Sequence, residues 1–200
     1  MPVVTRTPPT VHVELPQTWV RVPLAADGDR PGQRRILADW CDRPPPDALV
    51  SRLVRQSRAA HRDGLSFAAV LLATVDGAPV GLDRVVLTAA LTVGFRQLPG
   101  AADPRVAAEG LLRVRRPSAG PATRTELIGL GGDPDRPALL VHESVAVARC
   151  EVLWLVPATD RLAGVAVTSQ DRGLASALRR VALAAAASLT LSGACEVSDG

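Results

Sequence analysis

Two hydrophobic periods take turns along this chain, and their order defines its architecture. Residues 11–15 alternate apolar and polar side chains, as a half-buried strand does. Pro16 and Gln17 interrupt the pattern and residues 18–22 resume it, so a hairpin-like pair or one kinked strand is expected. Asp27-Gly28-Asp29 and Pro31-Gly32 are turn chemistry, which predicts an exposed loop over 25–35. The first triplet begins like a calcium loop, but Pro31 and Arg34 stand where oxygen ligands would be needed.

Pro44-Pro45-Pro46 stops the chain, and Asp47 is placed to cap a helix. Leu49, Val50, Leu53, Val54, Ser57 and His61 share one face of it, arginines fill the other, and Gly64 ends it. Two long apolar runs follow, over 66–75 and 83–95, joined by Asp76-Gly77-Ala78-Pro79. They predict an antiparallel pair inside a sheet. Asp103-Pro104 is a helix start with Val106, Ala107, Leu111 and Leu112 as its apolar stripe. Residues 123–128 form a short β-like piece. Residues 138–149, 151–156 and 162–168 are three further strands. Asp171 caps a last helix with Leu174, Leu178, Val181, Ala185 and Leu189 at helical spacing, and its run of alanines permits close approach to a sheet.

Strands that mostly adjoin through short turns specify an α+β fold. The expectation is a single domain over residues 11–191, with a mostly antiparallel sheet of six to eight strands and three helices. Residues 1–10 are expected to be a flexible lead-in and 192–200 a flexible tail.

Composition narrows the chemistry. All 23 basic residues are arginine; lysine, asparagine and tyrosine are absent, the codon signature of a GC-rich genome, most simply bacterial. With 47% apolar residues the 200-residue chain can fill an aliphatic core unaided. The net charge of +3 is spread among acids rather than clustered beside aromatics, so nucleic-acid binding is not expected. Cys41, Cys150 and Cys195 are odd in number and lack CxxC spacing, as reduced thiols of a cytoplasmic protein would be. The first residues lack the apolar stretch of a secretory signal. The uncharged run over 181–195 is shorter than a bilayer span, so membrane contact is not expected.

No motif fixes a reaction. Without lysine, Walker-type nucleotide hydrolysis, Schiff-base and pyridoxal-phosphate chemistry are excluded. His142-Glu143 begins like HExxH, but position 146 is alanine and the segment reads as strand. If the strands of His12 and His142 paired, a small metal site with Glu143 would be possible; sheet-lining histidines are the commoner outcome. Ser144 lacks a nucleophile elbow and the cysteines lack a basic context. No catalytic residue, cofactor or metal ligand is assigned. Arg113, Arg115 and Arg116 are the one sharp basic cluster, at a helix end where cations complement the dipole. With Arg124, Trp19 and Trp154 they are the candidate interaction residues.

Leu15-Pro16-Gln17-Thr18-Trp19-Val20-Arg21-Val22-Pro23-Leu24 resembles the P-x-x-W strand start of the Mog1/PsbP-like α+β sandwich proteins. The paired central strands and the late strand run ending in a helix resemble that fold too. The Trp19 start and Gly120-Pro121-Ala122-Thr123-Arg124 are similar to small proteins of high-GC Gram-positive bacteria. The resemblance implies non-catalytic work, binding or scaffolding a protein partner in an assembly or export setting. An aliphatic core without a convergent polar constellation leads to the expectation of a cytoplasmic interaction or scaffold protein that self-associates or belongs to a larger bacterial assembly or secretion-related machine. The alternative is a small-ligand site or enzyme built around His142, Glu143, Arg124 and Trp154.

Overall fold

The long apolar runs assemble into one antiparallel sheet, seen in a computed structural model that describes residues 10–39, 44–74, 85–98, 100, 103–115, 123–144, 147–157 and 159–192. Its strands are β2 (Trp19–Arg21), β3 (Phe67–Thr74), β4 (Val85–Gln97), β5 (Thr123–Gly129), β6 (Pro137–Ser144), β7 (Ala148–Leu155) and β8 (Arg161–Ser169). They lie in the order β2-β3-β4-β8-β7-β6-β5, every neighbour antiparallel. A second, two-stranded sheet pairs β1 (Thr10–His12) with β9 (Thr190–Ser192). Four helices complete the described residues: α1 (Arg30–Ala38), α2 (Asp47–Arg62), α3 (Pro104–Arg115) and α4 (Ala175–Ser188). None is long and apolar enough to cross a membrane.

Strand alternation sorts the core into two sides. Ala69, Leu91, Val167 and Cys150 line one face with Val152, Val165 and Trp154, under Leu178, Ala182, Ala185 and Ala186 of α4. The alanines leave no bulk between helix and strands, which is how a short helix seals β7 and β8 closely. On the other face, Leu49, Val50, Leu53 and Val54 of α2 cover Ala68, Val70 and Leu72. Leu111 and Leu112 of α3 pack against Leu139, Val141, Leu153 and Leu162. Each fully buried Val or Leu contributes roughly 1.5–3 kcal/mol, so the sheet is held by apolar burial from both sides.

The α+β class and antiparallel sheet expected from the sequence are those observed, with four helices rather than three. The loop expected over 25–35 contains α1. Asp29 accepts a hydrogen bond from Gly32 N–H (3.1 Å), and Pro31 occupies the first turn. The first two strand pieces do not pair with each other: β1 joins β9 and β2 joins β3. The run expected to continue as strand over 138–149 breaks between Ser144 and Ala148. Val106, expected in the buried stripe of α3, is 66% exposed, and Ala107 and Ala108 take the inner positions. Asp47 does not cap α2. Pro46 holds that position, and Asp47 pairs with Arg30 (3.2 Å) and Arg34 of α1. Asp103 does cap α3, accepting from the N–H groups of Arg105 and Val106.

Two hydrogen-bonded side chains fix α1 and α2 to the sheet. Ser57 Oγ on α2 donates to the Pro23 carbonyl (2.7 Å) and accepts from Ala25 N–H (3.1 Å). Gln33 Nε2 on α1 donates to the same carbonyl (3.1 Å). Both side chains are fully buried, where an unmade hydrogen bond would cost about 1–3 kcal/mol. Gly28 closes the assembly at φ +82°, where a Cβ would stand 2.7 Å from Val54 Cγ1 and 2.8 Å from the Val54 carbonyl. Gly64 has a similar φ of +68° with open space around it. G64A is therefore expected to cost about 1 kcal/mol through backbone strain alone. G28A adds the collision with backbone and is expected to cost about 2–4 kcal/mol. Urea unfolding of the two variants checks the difference; equal losses would contradict this account of the α1–α2 junction.

Candidate functional site

Among the described residues, the strand that begins at Trp19 lies at an edge of the main sheet, bonded to β3 on one side only. Val22 N–H donates to the Ala68 carbonyl, so by antiparallel alternation Val20 also faces β3 while Trp19 and Arg21 turn their backbone groups outward. Trp19 N–H is taken up by the Pro16 carbonyl (2.9 Å). Among the described residues this leaves the amide and carbonyl of Arg21 as the open pair on that edge.

Two cavities meet along this edge and share Trp19 and Arg21 as walls. One, of about 630 Å³, is bounded by Val20, Pro23, Ile36 of α1 and Asp39 at that helix's C-terminal cap. The other, of about 480 Å³, lies toward the small sheet, with Phe67, His12 and Glu14 among its walls. The Trp19 side chain is 9% exposed and belongs to the core on its inner side. The Arg21 guanidinium lies 5.3 Å from the centre of the Phe67 ring, an attraction that orients the cation over the second cavity. At the far wall His12 Nε2 is 3.1 Å from Ser192 Oγ, and Ser188 Oγ receives Glu14 N–H (3.1 Å), which ties the strand after β1 to α4. The first cavity is mainly apolar, and the second sets His12, Glu14 and Ser188 beside its apolar residues. Strand alternation places the two cavities toward opposite faces of the sheet, with the β2 edge between.

The other sequence candidates scatter. Trp154 is 4% exposed, in the core beside Ala138 and Ala163, and presents no surface. Arg124 on β5 stands directly opposite His142, which in turn stands opposite Cys150, all on the α4 face. Glu143 points to the other face, across from Thr123 and Arg149. The set His142, Glu143, Arg124 and Trp154 is therefore divided by the sheet rather than gathered into one pocket. His12 and His142 lie on strands of different sheets, and among the described residues no three His, Cys, Asp or Glu side chains gather where a metal could be held. Arg113 is exposed on α3, Arg115 ends that helix, and Arg116, Cys41 and Cys195 lie outside the described residues. The sequence singled out Trp19 but missed Arg21 and Ile36. The alternation over residues 18–22 places Arg21 on a strand, but nothing local shows that the strand is an edge.

No protein-family model matches the chain, and no curated protein matches it. Solved structures similar to it include that of the Ran-binding protein Mog1p of Saccharomyces cerevisiae, of the family that the Trp19 strand start resembles. The two align over 91% of this chain and 90% of Mog1p, at 8% identity and a TM-score of 0.45. A Bacteroides thetaiotaomicron protein aligns over 62% of this chain at 12% identity, with a TM-score of 0.35. This chain spans 38% of that protein's length.

Cys150 is a free thiol with no exposed surface, and burial pushes its pKa up to about 11. Arg179 opposes this shift and Glu126 and Glu151 add to it. The folded state therefore holds the thiol proton more tightly than the unfolded chain. The resulting stabilisation is complete below the unfolded thiol pKa and is lost as pH rises toward 11. Because lysine and tyrosine are absent, thiols are the side chains that titrate in this window. Between about pH 8 and pH 11 the wild type should lose about 2 kcal/mol more stability than C150A. Parallel slopes in denaturant titrations across that range would contradict it.

Proposed function

We propose that this chain is a non-enzymatic protein-interaction domain that receives an extended segment of another protein beside β2. The observation that carries this reading is the coincidence, on one edge, of a backbone pair at Arg21 left open among the described residues with two flanking cavities that share Trp19, the first mainly apolar and the second also polar. Strand addition takes its affinity from main-chain hydrogen bonds and its specificity from pockets for alternate side chains, and this edge offers both. The fitting segment carries an apolar side chain for the wall of Val20, Pro23 and Ile36. At the adjacent position, which faces the other side of the sheet, it carries an acid that pairs with Arg21. The division of His142 and Glu143 between two faces supports binding over catalysis. A cytoplasmic setting, as part of a larger bacterial assembly, agrees with the buried free thiol of Cys150.

Peptides selected from a random library against the immobilised chain provide the test. Selected sequences should share an apolar residue directly next to an acid, and their binding should change the fluorescence of Trp19. I36E and R21E should each weaken binding by about tenfold or more, the scale of one lost pocket or charge contact. Both variants should keep the wild-type melting temperature within a few degrees. Peptide affinities that neither substitution alters would overturn the assignment.

A further inference from the structure

The sheet has a second open edge, and it is longer. β5 pairs with β6 through seven uninterrupted positions, from Thr123 opposite Glu143 to Gly129 opposite Pro137. Among the described residues nothing pairs with its outer side. It has no proline and no bulge, and its charged residues are Arg124 and Glu126, one of each sign. Thr123, Thr125 and Leu127 project to the α3 face, and Leu127 is 42% exposed. Arg124 and Glu126 project to the α4 face.

We propose that β5 pairs antiparallel with β5 of a second copy of this chain, extending the sheet across a two-fold axis. With the dyad normal to the sheet, residues opposite one another share a face, so only a few registers exist. Centring on Arg124 sets two guanidinium groups against each other, and centring on Glu126 sets two carboxylates against each other. Centring on Thr125 places Arg124 opposite Glu126 of the second copy, and Glu126 opposite its Arg124. On the other face it places Thr125 on Thr125 and covers Leu127 with Thr123. One register is thus doubly complementary while its neighbours on either side are repulsive, which is how charge selects register in strand pairs. Glu126 is already oriented for the role, since Arg179 of α4 holds its carboxylate at 2.6 Å on that face. Arg124 has no ion pair among the described residues, so it is free to serve as the matching donor. This inference concerns a different edge from the β2 groove and stands independently of it.

Sedimentation equilibrium of the full chain over a wide concentration range tests the pairing through a charge swap. The wild type should show a monomer–dimer equilibrium. R124E and E126R should each weaken dimerisation by about tenfold or more by opposing like charges across the dyad. The double variant R124E/E126R should recover most of the wild-type affinity, because every cross-dyad pair is again opposite in sign. E126R also breaks the contact with Arg179. If that contact alone mattered, the double variant would remain as weak as E126R, and the proposal would fall. It would also fall if the wild type stayed monomeric at the highest concentration, or if it formed a dimer indifferent to R124E. Peptide binding at the β2 groove, measured on the same samples, should be unaffected by the swap.

Discussion

Burial of one sheet from both faces is the constraint on which everything else in this molecule depends. Alanines 182, 185 and 186 bring α4 close to β7 and β8. On the opposite face α2 covers the β2–β4 end and α3 the β5–β7 end. Val, Leu and Ala consequently predominate on both sides of the central strands, and β7 is paired with a neighbour on each side along Ala148–Trp154. Polar recognition is left to the two margins of the sheet, β2 and β5. A free edge is a hazard unless it is shortened, covered or used. Here β2 is reduced to three residues and flanked by a groove, while β5 carries a self-complementary charge pair.

The β2 groove exists because α1 is held where it is. The Pro23 carbonyl accepts from both Ser57 of α2 and Gln33 of α1, so one backbone oxygen joins two helices to the strand end. Asp47 then clamps the solvent side by pairing with Arg30 and Arg34. With α1 fixed, Ile36 and Asp39 become the wall that faces Val20 and Pro23. On the other side of Trp19 the closure comes from the pairing of the chain's two ends, Val11 with Leu191 and His12 with Thr190. Residues nearly the whole chain apart therefore build a site around a five-residue stretch.

How much of this was legible in the sequence depended on the range of the interaction. The long strands, the capped start of α3 and the last helix follow from local periodicity and capping, and they stand close to where those signals place them. The α1 helix was missed although Asp29 and Pro31 repeat the logic that identifies Asp103 and Pro104. Gly28 and Gly32 made the segment look like a turn, and its inner face holds only Gln33 and Leu37 as buried residues. The pairing of β1 with β9 has no local signature at all, because it joins segments at opposite ends of the sequence. The same limit hid the groove: Trp19 stood out as a rare aromatic, but its neighbours Ile36 and Arg21 acquire meaning only from α1 and from the edge position of β2. Trp154, equally conspicuous in the sequence, is core, as its flanking Leu153 and Leu155 in a buried strand imply.

Among the described residues the β2 margin of the sheet leaves the amide and carbonyl of Arg21 open. Residue-resolved amide exchange of the free protein tests it most directly. Arg21 should exchange nearly as fast as an unstructured peptide, while Val22, bonded to the Ala68 carbonyl, and the amides of β7 and β8 exchange slowly. Equal protection at Arg21 and Val22 would mean that another part of the chain already occupies this edge, and would contradict the account.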